Sequence, residues 1–205
     1  MKSKDQILLE QSYQKIYENE SLLIPRRSAE ERQKNYKIAS NKQIQEYIKN
    51  GSKGNLDLNN TPITSLPKGL TVGGYLDLSG TPITSLPKGL TVDGHLFLNN
   101  TPITSLPEGL KVGGSLYLNN TPITSLPEGL TVGGDLDLSG TRITSLPEGL
   151  KVGGDLYLRN TPITSLPKGL TVGGSLDLSS TPMSKKYTKE QIKQMCPGIQ
   201  GDIYM

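Results

Sequence analysis

A β-rich solenoid with twenty-residue turns is what this sequence predicts, on three observations. Six consecutive copies of one twenty-residue unit run without insertion or deletion, and a seventh partial copy, residues 175–182, closes them. A fixed period of this length means that each unit buries its apolar side against its neighbours only. Each unit opens with Leu-x-Leu, the alternation of a half-buried strand. Prolines at two places in most units remove backbone donors and fix φ, so the return path is extended or polyproline-like rather than helical.

Three regions follow: a helical N-terminal cap over residues 1–50, the solenoid over 51–182, and a C-terminal cap over 183–205. In the first, Ile7, Leu8, Tyr13, Ile16 and Tyr17 stand at helical spacing between Gln6 and Glu18. After Pro25, Ser28 and Glu31 make a capping-box signal for a second helix. A third, short segment is expected after Ser40 and Asn41, with Ile44, Tyr47 and Ile48 on one side and Gly51 as its stop. The segment shields the first turn of the solenoid; Arg26, Arg27 and Arg32 could instead form a basic spot.

Within the array, the unit that begins at Tyr75 points Leu76, Leu78, Ile83, Leu86, Leu90 and Val92 inward. Pairs such as Gly73 and Gly74 supply the backbone needed to enter the next strand. Beyond the array, Thr188 and Gln191 mark a capping box for a short helix through Ile192 and Met195, stopped near Pro197 and Gly198.

Composition agrees with a thin column of aliphatics. Hydrophobic residues make up 33% of the chain and aromatics 5%, too few for a globule with a central core. Glycine and proline are abundant but recur in step with the period, which argues against disorder. Residues 1–50 carry ten Lys and Arg against seven Asp and Glu, whereas residues 51–181 carry eight against ten. A nucleic-acid binder concentrates basic residues on its working face, and this array is slightly acidic, so no nucleic acid is expected as a partner. A single cysteine excludes an internal disulfide framework. The first ten residues hold an apolar run of only three, so neither a signal peptide nor a membrane segment is expected, and the expected location is cytoplasmic, the host cytoplasm if phage-encoded.

The pattern Leu76-x-Leu78-x-x-Thr81-x-Ile83-x-x-Leu86-Pro87 resembles the leucine-rich repeat signature in its shortest bacterial form. It is similar to the repeat region of the LPX-type bacterial effectors and to repeats in uncharacterised phage proteins, over about residues 54–182. The resemblance implies a leucine-rich-repeat solenoid with a parallel sheet on its concave side. Two departures stand out. The position usually held by Asn is Thr in every copy, Thr61 through Thr181, and the ligase domain of many such effectors has no counterpart, so a ubiquitin-ligase role for Cys196 is not expected.

The threonine column has two readings. Each hydroxyl could bond a neighbouring turn's backbone, as the family's Asn ladder does. Alternatively, columns such as Thr81 and Thr84 could order water as in ice-binding solenoids, although Pro82 and an inward Ile83 separate them.

What varies between units points outward. Between the two strand leucines the column reads Asp57, Asp77, Phe97, Tyr117, Asp137, Tyr157, Asp177. Just before them it reads Asn55, Tyr75, His95, Ser115, Asp135, Asp155, Ser175. Neighbours in a column should lie about 4.8 Å apart. Tyr75, Asp77, His95, Phe97, Tyr117, Asp135, Asp137, Asp155 and Tyr157 are therefore the candidate binding residues, aromatic at the centre and acidic on both sides. Outward aromatics on a strand have no core to fill, and aromatic anchors ringed by polar groups are what protein interfaces use. Stacked carboxylates would welcome a basic partner or a cation. The plain alternative is a solvated face with scattered aromatics.

Catalysis finds little footing. His95 and Cys196 stand about five repeats apart, and no phosphate loop or metal-ligand cluster is present. A calcium ion at Asp135, Asp137 and Asp155 lacks a loop motif. No cofactor is expected. The sequence thus predicts a non-catalytic module that binds a protein, with a virion-type structural role and a water-ordering surface as the competing readings.

Overall fold

The computed structural model describes residues 28–205. The helix expected between Gln6 and Glu18, and Arg26 and Arg27 of the basic spot, lie outside these residues. The chain divides into two compact units, residues 1–35 and 36–205. Of the first, residues 28–35 are described, and they open helix α1 (Ala29–Lys49) with the expected capping box. The Glu31 N–H donates to Ser28 Oγ (3.1 Å), and the Ser28 N–H donates to the Glu31 carboxylate (3.0 Å).

Where two helical segments were expected after Pro25, one continuous helix of 21 residues runs through Ser40 and Asn41. Neither residue has a proline or glycine beside it to break the backbone ladder. The expected stop at Gly51 is present, in the left-handed region at φ 81°. In the second unit, Ile44 is buried and Tyr47 packs against the core. The Tyr47 hydroxyl donates towards the Ser52 and Gly54 carbonyls and accepts from the Gly73 N–H. Ile48, expected beside them, is 38% exposed.

From Leu56 the second unit is a parallel β-solenoid. Seven two-residue strands, Leu56–Asp57 through Leu176–Asp177, pair in register at a spacing of twenty residues, Leu on Leu. The return path is extended, as proline requires. It also holds a second parallel sheet of six strands, from Thr71–Val72 to Thr171–Val172, which the sequence reading did not separate from the extended return. Between the two sheets lies the expected aliphatic column. Leu76, Leu78, Ile83, Leu90 and Val92 are fully buried and Leu86 nearly so, and the same set recurs turn after turn, with only Leu166 partly exposed. No helix occurs between residues 51 and 181.

Two backbone devices close each turn. The residue that ends the strand segment is left-handed in every unit, and it is Asn or Gly at Asn60, Gly80, Asn100, Asn120, Gly140 and Asn160, and Ser at Ser180. Glycine and asparagine tolerate that region at least cost, and Ser180 stands there only in the last, partial unit. From Gly74 to Gly174, the glycine two residues before the first strand leucine is needed for close approach instead, in Gly-Gly pairs and after Asp93 alike. The Gly94 N–H donates to the Gly74 carbonyl (3.0 Å), and a Cβ on Gly94 would stand 2.7 Å from that carbonyl carbon.

The array's last turn is covered by more than the one helix expected. Helix α2 (Pro182–Lys186) is capped by Thr181, and helix α3 (Lys189–Met195) opens with the expected Thr188–Gln191 capping box. Then Ile203–Tyr204 adds an eighth strand to the larger sheet, and Ile199 bridges Val172 at the end of the smaller one. Gly201 continues the glycine column, its N–H donating to the Gly174 carbonyl (2.8 Å). Both sheet edges are thereby paired where the repeats stop, which removes unpaired strand groups that would template association.

Candidate functional site: the outward face of the larger sheet

The eight-stranded sheet presents three outward columns, because the side chains that alternate with its buried leucines point away from the core. Two are the columns read from the sequence. The third, after the second leucine, runs Asn59, Ser79, Asn99, Asn119, Ser139, Arg159, Ser179.

At the centre the structure brings four rings together. Phe97 and Tyr117 stack with centroids 4.8 Å apart and planes 3° from parallel. Tyr75 meets Phe97 edge-on at 6.1 Å, and His95 lies tilted beside it at the same distance. Parallel strands in register put consecutive turns at the distance at which rings stack, so this contact follows from the pairing of Phe97 with Tyr117. All four rings keep part of their surface in water. The expected aromatic patch is therefore real and continuous.

The acidic flanks are tied into the backbone. In the column before the strand, each side chain accepts a hydrogen bond from the backbone of the next turn. Asn55 Oδ1 accepts from the Tyr75 N–H, His95 Nδ1 from Ser115, and Ser115 Oγ from Asp135. Asp135 Oδ1 then accepts from Asp155 (2.9 Å), Asp155 Oδ1 from Ser175, and Ser175 Oγ from Asp202. Only Tyr75 has no acceptor to offer at this place. Asp135, Asp155 and His95 are thus rungs of a turn-to-turn ladder as well as surface groups. The signal was present in the sequence: Asn, His, Ser and Asp share little except a short acceptor.

The aspartates of the middle column have a second local task. Asp57, Asp77, Asp137 and Asp177 each accept, at Oδ1, the N–H two residues ahead, as with Ser139 on Asp137 (2.9 Å) and Ser179 on Asp177 (2.9 Å). Such Asp side chains organise the turn that leaves the strand. The second oxygen of Asp57, Asp77 and Asp137 stays available, whereas that of Asp177 is taken by Arg159.

Tyr157 stands apart from the four rings, in a polar cluster. Its hydroxyl donates to Asp155 Oδ2 (2.9 Å), and this bond, with partial burial and the charges of Asp155 and Asp135, pushes the phenol up to about 12. The Arg159 guanidinium lies 5.7 Å from the Tyr157 ring centroid, and its Nε pairs with Asp177 Oδ2 at 2.9 Å. The sequence does not single out Arg159, because twenty-residue periodicity alone does not show that the third column faces outward. Tyr204, paired with Asp177 and 48% exposed, extends the middle column by one more ring. Its place in that column depends on a strand outside the repeats.

The remaining candidates are quieter. The threonine column is buried from Thr81 to Thr181, and each Oγ1 donates to the carbonyl three residues back in its own turn, as Thr81 does to Leu78 (2.7 Å). The bond to a neighbouring turn expected by analogy with an Asn ladder is not made, because the threonine side chain reaches its own strand exit first. Burial also takes this column away from water; the Thr84 column is exposed. Cys196 is buried at the C-cap of α3, and burial pushes its thiol up. Among the described residues no group of three or more His, Cys, Asp or Glu is placed to hold a metal ion, and no helix is long and apolar enough to cross a membrane.

No protein-family model and no curated protein matches this chain.

Proposed function

We propose that this protein is a non-catalytic binding module of the leucine-rich repeat class, of the short bacterial and phage type, that recognises a protein through the outward face of its larger sheet. The observation that carries the reading is the four-ring cluster of Tyr75, His95, Phe97 and Tyr117. Rings that contribute nothing to the aliphatic core are held face to face on a rigid sheet and rimmed by Asp77 and Asp137, an arrangement that offers a large contact area at little cost in side-chain freedom. The carboxylates favour a basic partner and would speed its association. A cytoplasmic location fits a free buried thiol.

Two features weigh against an enzyme. His95 Nδ1 is engaged by the Ser115 N–H, and Cys196 is buried with a thiol that burial keeps protonated.

The test compares partner capture by the protein and by Phe97→Ala/Tyr117→Ala, with Lys88→Ala/Glu108→Ala on the return path as control. Removing interface anchors should weaken affinity by about thirtyfold, corresponding to about 2 kcal/mol, and leave the melting curve in place. Unchanged affinity in the ring variant together with loss in the control would move the site to the other side of the solenoid.

A further inference from the structure

We infer that Tyr117 and Asp137 form a receptor for one arginine side chain of the partner, copied from the place where Arg159 of this chain sits on Tyr157 and Asp177. The inference rests on the larger sheet being the binding face, and it names the chemistry that face takes.

The two places share a residue pair and a register, and they differ in what precedes the ring: Phe97 stands one turn before Tyr117, and Asp137 one turn before Tyr157, whose hydroxyl is also held by Asp155. Tyr117 pairs in register with Asp137, and Tyr157 with Asp177, each a ring followed one turn later by a carboxylate in the same column. In both, Oδ1 of the aspartate is held by the serine N–H two residues on, so Oδ2 is the free oxygen. At the second place that oxygen receives Arg159 Nε at 2.9 Å while the guanidinium lies over the Tyr157 ring. The first place has the same ring and the same oxygen, but Asn119 stands in the third column where Arg159 stands two turns later. Among the described residues no Lys or Arg pairs with Asp137.

The open face of Tyr117 points the right way. Phe97, on the turn before, covers one face of the ring with planes 3° apart, so the other face is turned towards Asp137. A planar cation entering there would stack on the ring and donate to Asp137 Oδ2. Guanidinium suits this double demand better than ammonium, because it is flat, weakly hydrated and carries its donors in the plane that stacks. The pair Phe97–Tyr117 offers no such place, since a ring and not a carboxylate follows Phe97.

The probe is Nα-acetyl-L-arginine amide, titrated into the full chain and read by the backbone amide shifts of Tyr117 and Asp137. Saturable binding in the millimolar range is expected there, with the lysine counterpart weaker by about threefold or more. Asn119→Arg should abolish it, because the built-in arginine fills the place as Arg159 fills its own. Arg159→Asn should add a second set of saturating shifts at Tyr157 and Asp177. Shifts that appear elsewhere, binding indifferent to Asn119→Arg, or no second site in folded Arg159→Asn would each overturn the inference. If the arginine probe does not bind while Phe97→Ala/Tyr117→Ala still loses the partner, the arginine receptor is wrong and the binding face stands. If neither responds, both fall.

Discussion

Single side chains on this array do two jobs at once, and Tyr157 shows it most clearly. Its phenol is pushed up to about 12 chiefly because the neutral hydroxyl donates to Asp155. The neutral form is the one the fold favours. This contribution to stability is therefore complete below about pH 10 and is lost as the pH rises through the folded value. Ultraviolet titration should show one tyrosine ionising late, absent in Tyr157→Phe. In Asp155→Asn it should return towards 10, because an amide nitrogen cannot accept the bond while Oδ1 keeps its place in the ladder. The buried threonines give a second prediction. Thr121 donates to the Leu118 carbonyl at 2.7 Å, and that carbonyl also accepts the Thr121 N–H. Thr121→Val keeps the volume and strands no backbone group, so a loss of only about 1 kcal/mol is expected in a denaturant melt. A neutral result would mean that the column could have been aliphatic.

At the scale of elements, the terminal covers matter as much as the turns. A solenoid ends in open strand edges, and here residues 199–205 pair both of them through Ile199 and through Ile203–Tyr204. The cover is firmly tied. The Lys193 ammonium donates to the Ile199 carbonyl, and Ile192, Ile199 and Ile203 are all buried in the column. Truncation after Gly198 should leave helix α3 in place yet expose the Val172 and Leu176 strands. Concentration-dependent self-association, measured by light scattering after gel filtration, is the expected outcome. A truncated chain that stays monomeric at high concentration would show that the pairing adds stability alone.

For the solenoid as a whole, near-identical turns make stability a sum of units and their interfaces. Deleting residues 121–140 removes one full period and joins Asn120 to Thr141, which preserves every backbone partner type. The shortened chain should keep its helical content and a cooperative melt at a somewhat lower temperature, seen by circular dichroism. It should also lose arginine binding, because Tyr117 would then be followed by Tyr157 and not by Asp137. A shortened protein that does not fold would mean that the turns are not interchangeable.

The period by itself determined much of this protein. Leu76, Leu78, Ile83, Leu86, Leu90 and Val92 could be placed in the column, and Phe97 and Tyr117 side by side, because residues twenty apart must be neighbours once the turn length is known. The caps at Ser28 and Thr188 were legible for a similar reason, since the bonding partners lie three residues away. Tertiary structure alone decided the rest. It drew a second sheet out of the return path and chose the backbone partners, one turn on, of the short acceptors His95, Ser115, Asp135 and Asp155. It set Arg159 on Tyr157, and it brought Ile203 against Leu176 across 27 residues. The physical difference is the partner. An apolar residue in a repeat needs only another copy of itself, which the sequence displays. A polar side chain or a covering strand needs one particular backbone group, and its position depends on where the chain has already folded.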